Sequence, residues 1–263
     1  MIASSFATWL SALVPQTEVA ITPTIFVILN TATGQNPMLE WTKQDWATNS
    51  IPLYYQTSME SILKYSPWLV EVNADKVTFI SEWMAEQPDP AWGWCYTSTH
   101  DWLSQVDHWR QYLRVNIEGK LSVIRFQDPR LIELWLEQKP ETLWQNLLAT
   151  AHQLYLPNGT MGVTPSNGSL INTQFPWSLP LSYIEAWHNS SYGIKVRASN
   201  LDLQIWERSS THAETIFQTH GDLATKLEFW LKQRIQQGEN TMFTTLDMAF
   251  DALTDKKELP VHG

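Results

Sequence analysis

The sequence predicts an α/β protein in two parts, a mixed-sheet N-terminal lobe followed by a mostly helical C-terminal lobe. Three observations lead there. Apolar runs rich in β-branched and aromatic residues (TIFVILN at Thr24–Asn30, WLVEV at Trp68–Val72, WGWCYT at Trp92–Thr97) alternate with helically spaced stretches through the first 155 residues. The texture then changes over Leu156–Pro180, where four prolines and three glycines sit among Ser, Thr and Asn. Beyond it, apolar residues recur at three- and four-residue spacings as far as Leu253. The expected organisation is an α/β domain over 1–155, a loop-rich connection over 156–180 and a helical lobe over 181–263.

Taken in order, the N-terminal MIASSFATWLSALVPQ reads as a short amphipathic helix with Phe6, Trp9, Leu10 and Leu13 facing inward. It has no basic residue before its apolar part, as a signal peptide would. Thr24–Asn30, bounded by Pro23 and by Thr33-Gly34, is expected as a central strand. Residues 35–51 are polar apart from Trp41 and Trp46 and read as a long connection with a short helix. Ser58–Tyr65 suits a helical turn or two, and Pro67 separates it from the strand Trp68–Val72. Val77–Glu86 is expected to be helical, with Phe79, Trp83 and Met84 spaced by turns and Pro88 and Pro90 stopping it. Trp92–Thr97 is a third strand. The next helix, capped near Ser98 or Thr99, sets Leu103, Val106, Trp109 and Leu113 inward and Asp107, Arg110 and Arg114 on an adjacent face.

Lys120–Leu136 (KLSVIRFQDPRLIELWL) is the stretch around which the first lobe is organised. Leu121–Phe126 reads as a mostly buried strand with Arg125 at its far end, entered through a turn at Asn116–Lys120 where Gly119 supplies the flexible position. Asp128 can cap the helix that follows, and Pro129 fits its first turn. That helix places Leu131, Leu134 and Trp135 on one side, with Ile132 close by. Pro140–Tyr155 continues in helical pattern, and Leu181–Glu207 is ambiguous between helix and strand. Thr211–Leu253 is helical, with Leu223, Leu227, Trp230 and Leu231 on one helix, Gly238 closing it, and Met242–Leu253 forming another. DKKELPVHG is expected as a frayed tail.

Composition narrows the function. A net charge of −10 with no basic run argues against a nucleic-acid partner, and no window approaches a membrane span. The single cysteine, Cys95, excludes an intrachain disulfide and suits a reducing, cytoplasmic compartment; its apolar surroundings suit an inert thiol. Asn158, Asn167 and Asn189 begin glycosylation-type triplets, read as chance in a chain without an export signal. Fifteen tryptophans exceed what a core of this size requires, so some are expected at a protein-binding surface, with large core side chains as the plainer reading.

No G-x-S-x-G elbow, phosphate loop or dinucleotide fingerprint occurs, and no cofactor or small-molecule substrate is expected. The pairs His100/His108 and His212/His220 are spaced too widely for one ion on one helix. Glu71, Glu82, Glu86 and Asp89 are the acids that would have to converge for sugar chemistry. The charged set that stands out is Arg110, Arg114, Arg125, Asp128 and Arg130, which reads either as a structural ion-pair cluster or as a polar anchor for a partner segment.

PWLVEV at Pro67–Val72, WGWCYTS at Trp92–Ser98, HWRQYLRV at His108–Val115 and Gly119 leading to VIRFQDPR at Val123–Arg130 follow one another in an order that resembles a known family. It is similar to the adaptor-chaperones of the bacterial type VI secretion system, the domain-of-unknown-function family 4123, over about Thr24–Gln138. The resemblance implies a non-enzymatic adaptor that binds a secreted effector protein and assists its loading onto the spike protein. It also implies an α/β lobe followed by a variable helical one. The motif positions carried over are Trp109, Arg110, Leu113, Arg114, Gly119, Arg125, Phe126, Asp128, Pro129 and Arg130. Two positions depart from the family pattern: Asn30-Thr31 replace an acidic residue and glycine, and Gln127 replaces an aromatic. Trp109, Arg110, Arg114, Arg125, Asp128 and Arg130 are thus the candidate partner-binding or structural polar cluster. Leu227, Trp230, Leu231, Met242 and Leu246, on wide apolar stripes, are candidate effector contacts. A hydrolase and a toxin-neutralising immunity protein are the alternatives.

Overall fold

The computed structural model describes residues 6, 9, 23–32, 36–87, 89–163, 174–239 and 241–254. The chain divides into two compact units, Met1–Leu179 and Pro180–Gly263. The first combines sheet and helices and the second is mostly helical, as the sequence predicts.

A six-stranded sheet organises the first unit, with β1 (Thr24–Leu29) in its interior. Around it the order is β2 (Ala47–Pro52), β3 (Trp68–Val72), β1, β4 (Gly93–Ser98), β7 (Gln153–Tyr155) and β8 (Met161–Val163). Every ladder in it is antiparallel. Because β3 and β4 both run against β1, they run the same way as each other, and α2 (Val77–Glu86) joins them across it. The only parallel pairing among the described residues is a single bridge, Asn116 to Ser178.

β1 is apolar from Ile25 and fully buried from Phe26 because both of its faces are covered there. Val27 and Leu29 point to one face, where Val70, Cys95 and Tyr155 join Trp41 of α1 (Met38–Lys43) and Ile80 and Met84 of α2. Phe6 and Trp9, helical and buried, pack on Tyr155 at that face. Leu10 and Leu13 lie outside the described residues. Phe26 points the other way and stacks on Tyr96, which meets Trp109 of α3 (Trp102–Gln111) edge-on. β1 and β4 approach so closely that Gly93, at φ +139°, has no room for a side chain: a Cβ there would lie 2.1 Å from the Ile28 carbonyl oxygen.

The tryptophans are consumed by this packing. Ten of the fifteen are buried and the other five are half-buried, so their number marks a large aromatic core and not an exposed binding patch. Trp83, for one, meets Trp41, Trp46 and Trp92 edge-on.

Several sequence expectations are corrected. Lys120–Leu136 does not supply a buried strand to the main sheet. β6 (Lys120–Val123) pairs only with β5 (Arg114–Ile117), in a separate hairpin whose tight turn takes Glu118 and Gly119 to φ +49° and +81°. Leu121 and Val123 are 56% and 45% exposed, and burial begins only past the strand, at Ile124 and Phe126. β2 falls in the stretch read as a connection. Thr48, Asn49 and Ser50 are exposed, as suits a polar edge strand, and a bulge interrupts it between Ala47 and Asn49. The helical pattern of Pro140–Tyr155 holds only for α5 (Pro140–Gln145), which follows α4 (Pro129–Gln138), since non-helical dihedrals at Asn146 end it. Leu147, Leu148 and Ala151 are buried in turns, and β7 takes Leu154 into the sheet. Leu103, placed inward by spacing, is exposed, as is Phe79 of the turn-spaced set on α2. Part of the loop-rich segment, 164–173, lies outside the described residues, as does 255–263; β8 forms within its described part.

The second unit contains α6 (Leu181–Asn189), α7 (Ser191–Arg208), α8 (Ser210–His220), α9 (Leu223–Gln236) and α10 (Leu246–Thr254). The ambiguous Leu181–Glu207 stretch is thus two helices. Ser190 separates them, its hydroxyl accepting from the Gly193 N–H at 2.9 Å. Ile194, Ala198, Leu201 and Ile205 of α7 meet Leu223, Leu227, Trp230 and Leu231 of α9, with Ala249 and Leu253 of α10 completing the core. Asp222 caps α9 and Gly238, at φ +80°, follows its end. Arg197 ties the turn before α10 to α7, donating from Nη2 to the carbonyls of Met242 and Thr244 at 2.9 and 3.0 Å.

Candidate partner-binding site

The site grows from α3 and the hairpin that follows it. Asp101 caps α3 by accepting from the Ser104 N–H at 2.9 Å. This orients Trp109 fully inward, where its Nε1 donates to the Tyr96 hydroxyl at 2.6 Å and that hydroxyl donates to Gln105 Oε1 at 2.8 Å. Burial pushes the Tyr96 phenol well above its ordinary pKa, so the chain of bonds is neutral and structural. Trp109 therefore belongs to the core, not to a partner surface.

The next residue, Arg110, is half-buried and donates from Nη2 to the Tyr55 carbonyl at 2.8 Å. Tyr55 lies on the loop 53–67, whose ends are joined by Leu53 N–H to the Pro67 carbonyl at 2.9 Å and Tyr54 N–H to Ser66 Oγ at 2.9 Å. Arg125 acts on the same loop. Burial pushes the Tyr54 phenol up and the charge of Arg125 partly offsets it. Arg125 itself is exposed.

The hairpin register places the rest. Arg114 is directly opposite Val123 and Asn116 opposite Leu121, so these four side chains share one face. On that face Leu121 and Val123 are exposed and Arg114 and Asn116 half-buried, with Asn116 Nδ2 donating to Ser178 Oγ at 3.4 Å; exposed Arg125 follows two residues beyond Val123. No carboxylate among the described residues forms an ion pair with Arg110, Arg114 or Arg125. Asp128 is taken by Arg130: Nε donates to Oδ1 at 2.8 Å and Nη2 to Oδ2 at 2.7 Å, while Oδ1 also accepts from the Arg130 N–H. The charged set thus resolves into an ion pair, Asp128–Arg130, and three arginines with which no described carboxylate pairs.

Such an arrangement can hold an acidic or carboxylate-bearing segment through guanidinium forks while Leu121 and Val123 take apolar side chains. Nothing in it supplies a nucleophile with an adjacent base. Cys95 is buried with its thiol pushed well up, and His108 is driven down to about 4 by burial. Among the described residues no group of three His, Cys, Asp or Glu can hold a metal, and no helix is long and apolar enough to cross a membrane. Of the four acids considered for sugar chemistry, Glu71 accepts from Asn49 and Asp89 accepts from the Ala91 N–H, while Glu82 and Glu86 sit one turn apart on α2.

The proposed C-terminal contacts divide differently. Leu227, Trp230 and Leu231 are buried in their own unit's core, so the wide apolar stripe is packing surface for α7 and α10 rather than a groove. Met242 and Leu246 are half-buried, Leu246 against that same core. Spacing did not single out Tyr55, and it read Leu121 and Val123 as one face of a mostly buried strand. The Glu118-Gly119 turn signal, read as a two-residue hairpin turn, would have placed Leu121 and Val123 on a small separate sheet.

Residues 25–146 match the family model described as "Domain of unknown function (DUF4123)". The match covers the sheet as far as β4, the hairpin and every arginine of the site. No curated protein and no solved structure matches the chain.

Proposed function

We propose that the chain is a non-enzymatic adaptor that binds a type VI secretion effector in the cytoplasm and assists its loading onto the spike protein. The observation that carries this reading is the open hairpin face, where exposed Leu121 and Val123 sit with Arg114 and Arg125, neither in an ion pair with a described carboxylate, in a chain of net charge −10. An acidic protein gains little from leaving arginines unmatched beside exposed apolar groups unless another molecule meets them. The match over residues 25–146 supports the same reading, since the adaptor role is the one the resemblance implies.

The test is a pull-down from the native cell with identification of the co-purified proteins, using the native chain and an Arg114→Glu/Arg125→Glu double variant. The native chain should retain the effector and the folded variant should retain at least about tenfold less, the loss expected when repulsion replaces two charge-assisted contacts. Unchanged retention would remove the hairpin face from the interface, and no secreted effector among the co-purified proteins would sink the adaptor reading. A broad esterase, amidase and glycosidase screen should give no turnover. Reproducible activity abolished by one point mutation would favour the hydrolase alternative.

A further inference from the structure

A concave surface lies on the other side of the main sheet from α3. It is an open cleft of about 370 Å³ lined by Glu40, Gln44, Trp46, Lys76, Phe79, Glu82, Trp83 and Glu86. Its longest wall is one face of α2, where residues 79, 82, 83 and 86 follow the i, i+3, i+4, i+7 spacing while Ile80 and Met84 face the core. The aromatic part is rigid: the Trp46 and Trp83 rings meet at 67° with centroids 6.1 Å apart, braced by the buried Trp41 behind both. Phe79 is 54% exposed at the same wall.

The charges around these rings are one-sided. Glu40, Glu82 and Glu86 face one cation, Lys76, whose Nζ lies 6.0 Å from the Phe79 ring centroid. Glu40 accepts from Gln44 Nε2 at 2.7 Å, whereas Glu82 and Glu86 are exposed and make no hydrogen bond or ion pair with a described residue. Ring faces carry negative potential and attract cations, Arg most often, and carboxylates around them add to it. The volume, at the low end for ligand pockets, suits inserted side chains better than a whole folded element.

We propose that this cleft is a docking site for a basic segment of a partner protein, an arginine side chain entering between Trp46 and Phe79 with its guanidinium held by Glu82 and Glu86. The inference rests on the reading of the chain as an adaptor and extends it. The basic hairpin face is built from the α3 side of the sheet and the acidic cleft from the α1–α2 side, so two partners of opposite local charge can be held at once.

The experiment uses the purified full chain labelled with ¹⁵N, following the indole N–H signals of Trp46 and Trp83. The probe is an acetylated, amidated Arg-Gly-Arg-Gly-Arg peptide, and its control is the same peptide with citrulline, equal in shape and uncharged. The arginine peptide should shift both signals and bind at least tenfold more tightly than the control. Glu82→Gln/Glu86→Gln, at exposed positions, should weaken it about tenfold, and Lys76→Ala should strengthen it by removing the resident cation. Equal binding of the citrulline peptide, indifference to the double substitution, or spermine binding as tightly as the peptide would each overturn the proposal. Failure of effector co-purification with these titrations intact would sink the adaptor reading alone.

Discussion

Asp128 shows how one side chain can be read correctly in type and incompletely in partner. The order Asp-Pro-Arg before a helical pattern predicts a cap, and Asp128 Oδ1 does accept from a first-turn N–H; what spacing did not reveal is that the guanidinium of Arg130 closes over the same carboxylate. Asp128→Ala is expected to cost about 0.5–2 kcal/mol through the cap, measured by chemical denaturation. Unchanged stability with lost effector binding would instead place Asp128 at the interface. His108 gives a pH dependence. Burial holds its pKa at about 4, against 6.5 for the free side chain, while its Nε2 meets the Leu147 carbonyl at 2.8 Å. Between those values the unfolded chain binds the extra proton, so this contribution is whole above pH 6.5 and is lost as pH falls toward 4. The unfolding free energy of the native chain should drop over that window, by up to about 3 kcal/mol from this group, and His108→Gln should flatten the slope. At Gly93, where a Cβ meets the Ile28 carbonyl at 2.1 Å, Ala should destabilise by at least about 2 kcal/mol through overpacking and backbone strain.

At the scale of elements, periodicity was informative where an element touches the core on a wide face. TIFVIL, WLVEV and GWCYTS are β1, β3 and β4, and Val77–Glu86 and Leu223–Gln236 are helices. It failed at short elements at the margins. Three-residue β7 cannot show a period, polar β2 hides its role as an edge, and Leu121/Val123 alternate whether that face is buried or open. The hairpin β5–β6 therefore needed its turn to be recognised: Glu118 and Gly119 both take positive φ, and an L side chain in that region costs about 1–2 kcal/mol. Gly119→Val has open space around it, so the expected loss is backbone strain alone, concentrated in the hairpin. Amide exchange of β5 and β6 should quicken while that of β1 and β4 stays unchanged. Effector retention should fall with it if the Arg114–Val123 face is the docking surface.

For the whole molecule, the division into Met1–Leu179 and Pro180–Gly263 raises the question of which part, on the proposed adaptor reading, would select an effector. The sequence suggested apolar stripes on the later helices, but Leu227, Trp230 and Leu231 are shielded by α7 and α10, and substituting them would unfold the unit without informing on recognition. What α7, α8 and α9 leave outside is Leu203, Phe217 and Phe229, all exposed, and aromatic anchors of this kind are what a moderate, reversible interface uses. We expect the match-bearing unit to meet a feature common to delivery and the second unit to set effector preference. Exchanging residues 180–263 for those of a relative that serves another effector should then transfer preference to the new effector, read by co-purification against both. Phe217→Ser/Phe229→Ser in the native chain should weaken retention while leaving the denaturation midpoint within about 0.5 kcal/mol, as surface substitutions do. A folded chimera that keeps the original preference would place specificity in the first unit, and the hairpin face and the acidic cleft would then have to account for it.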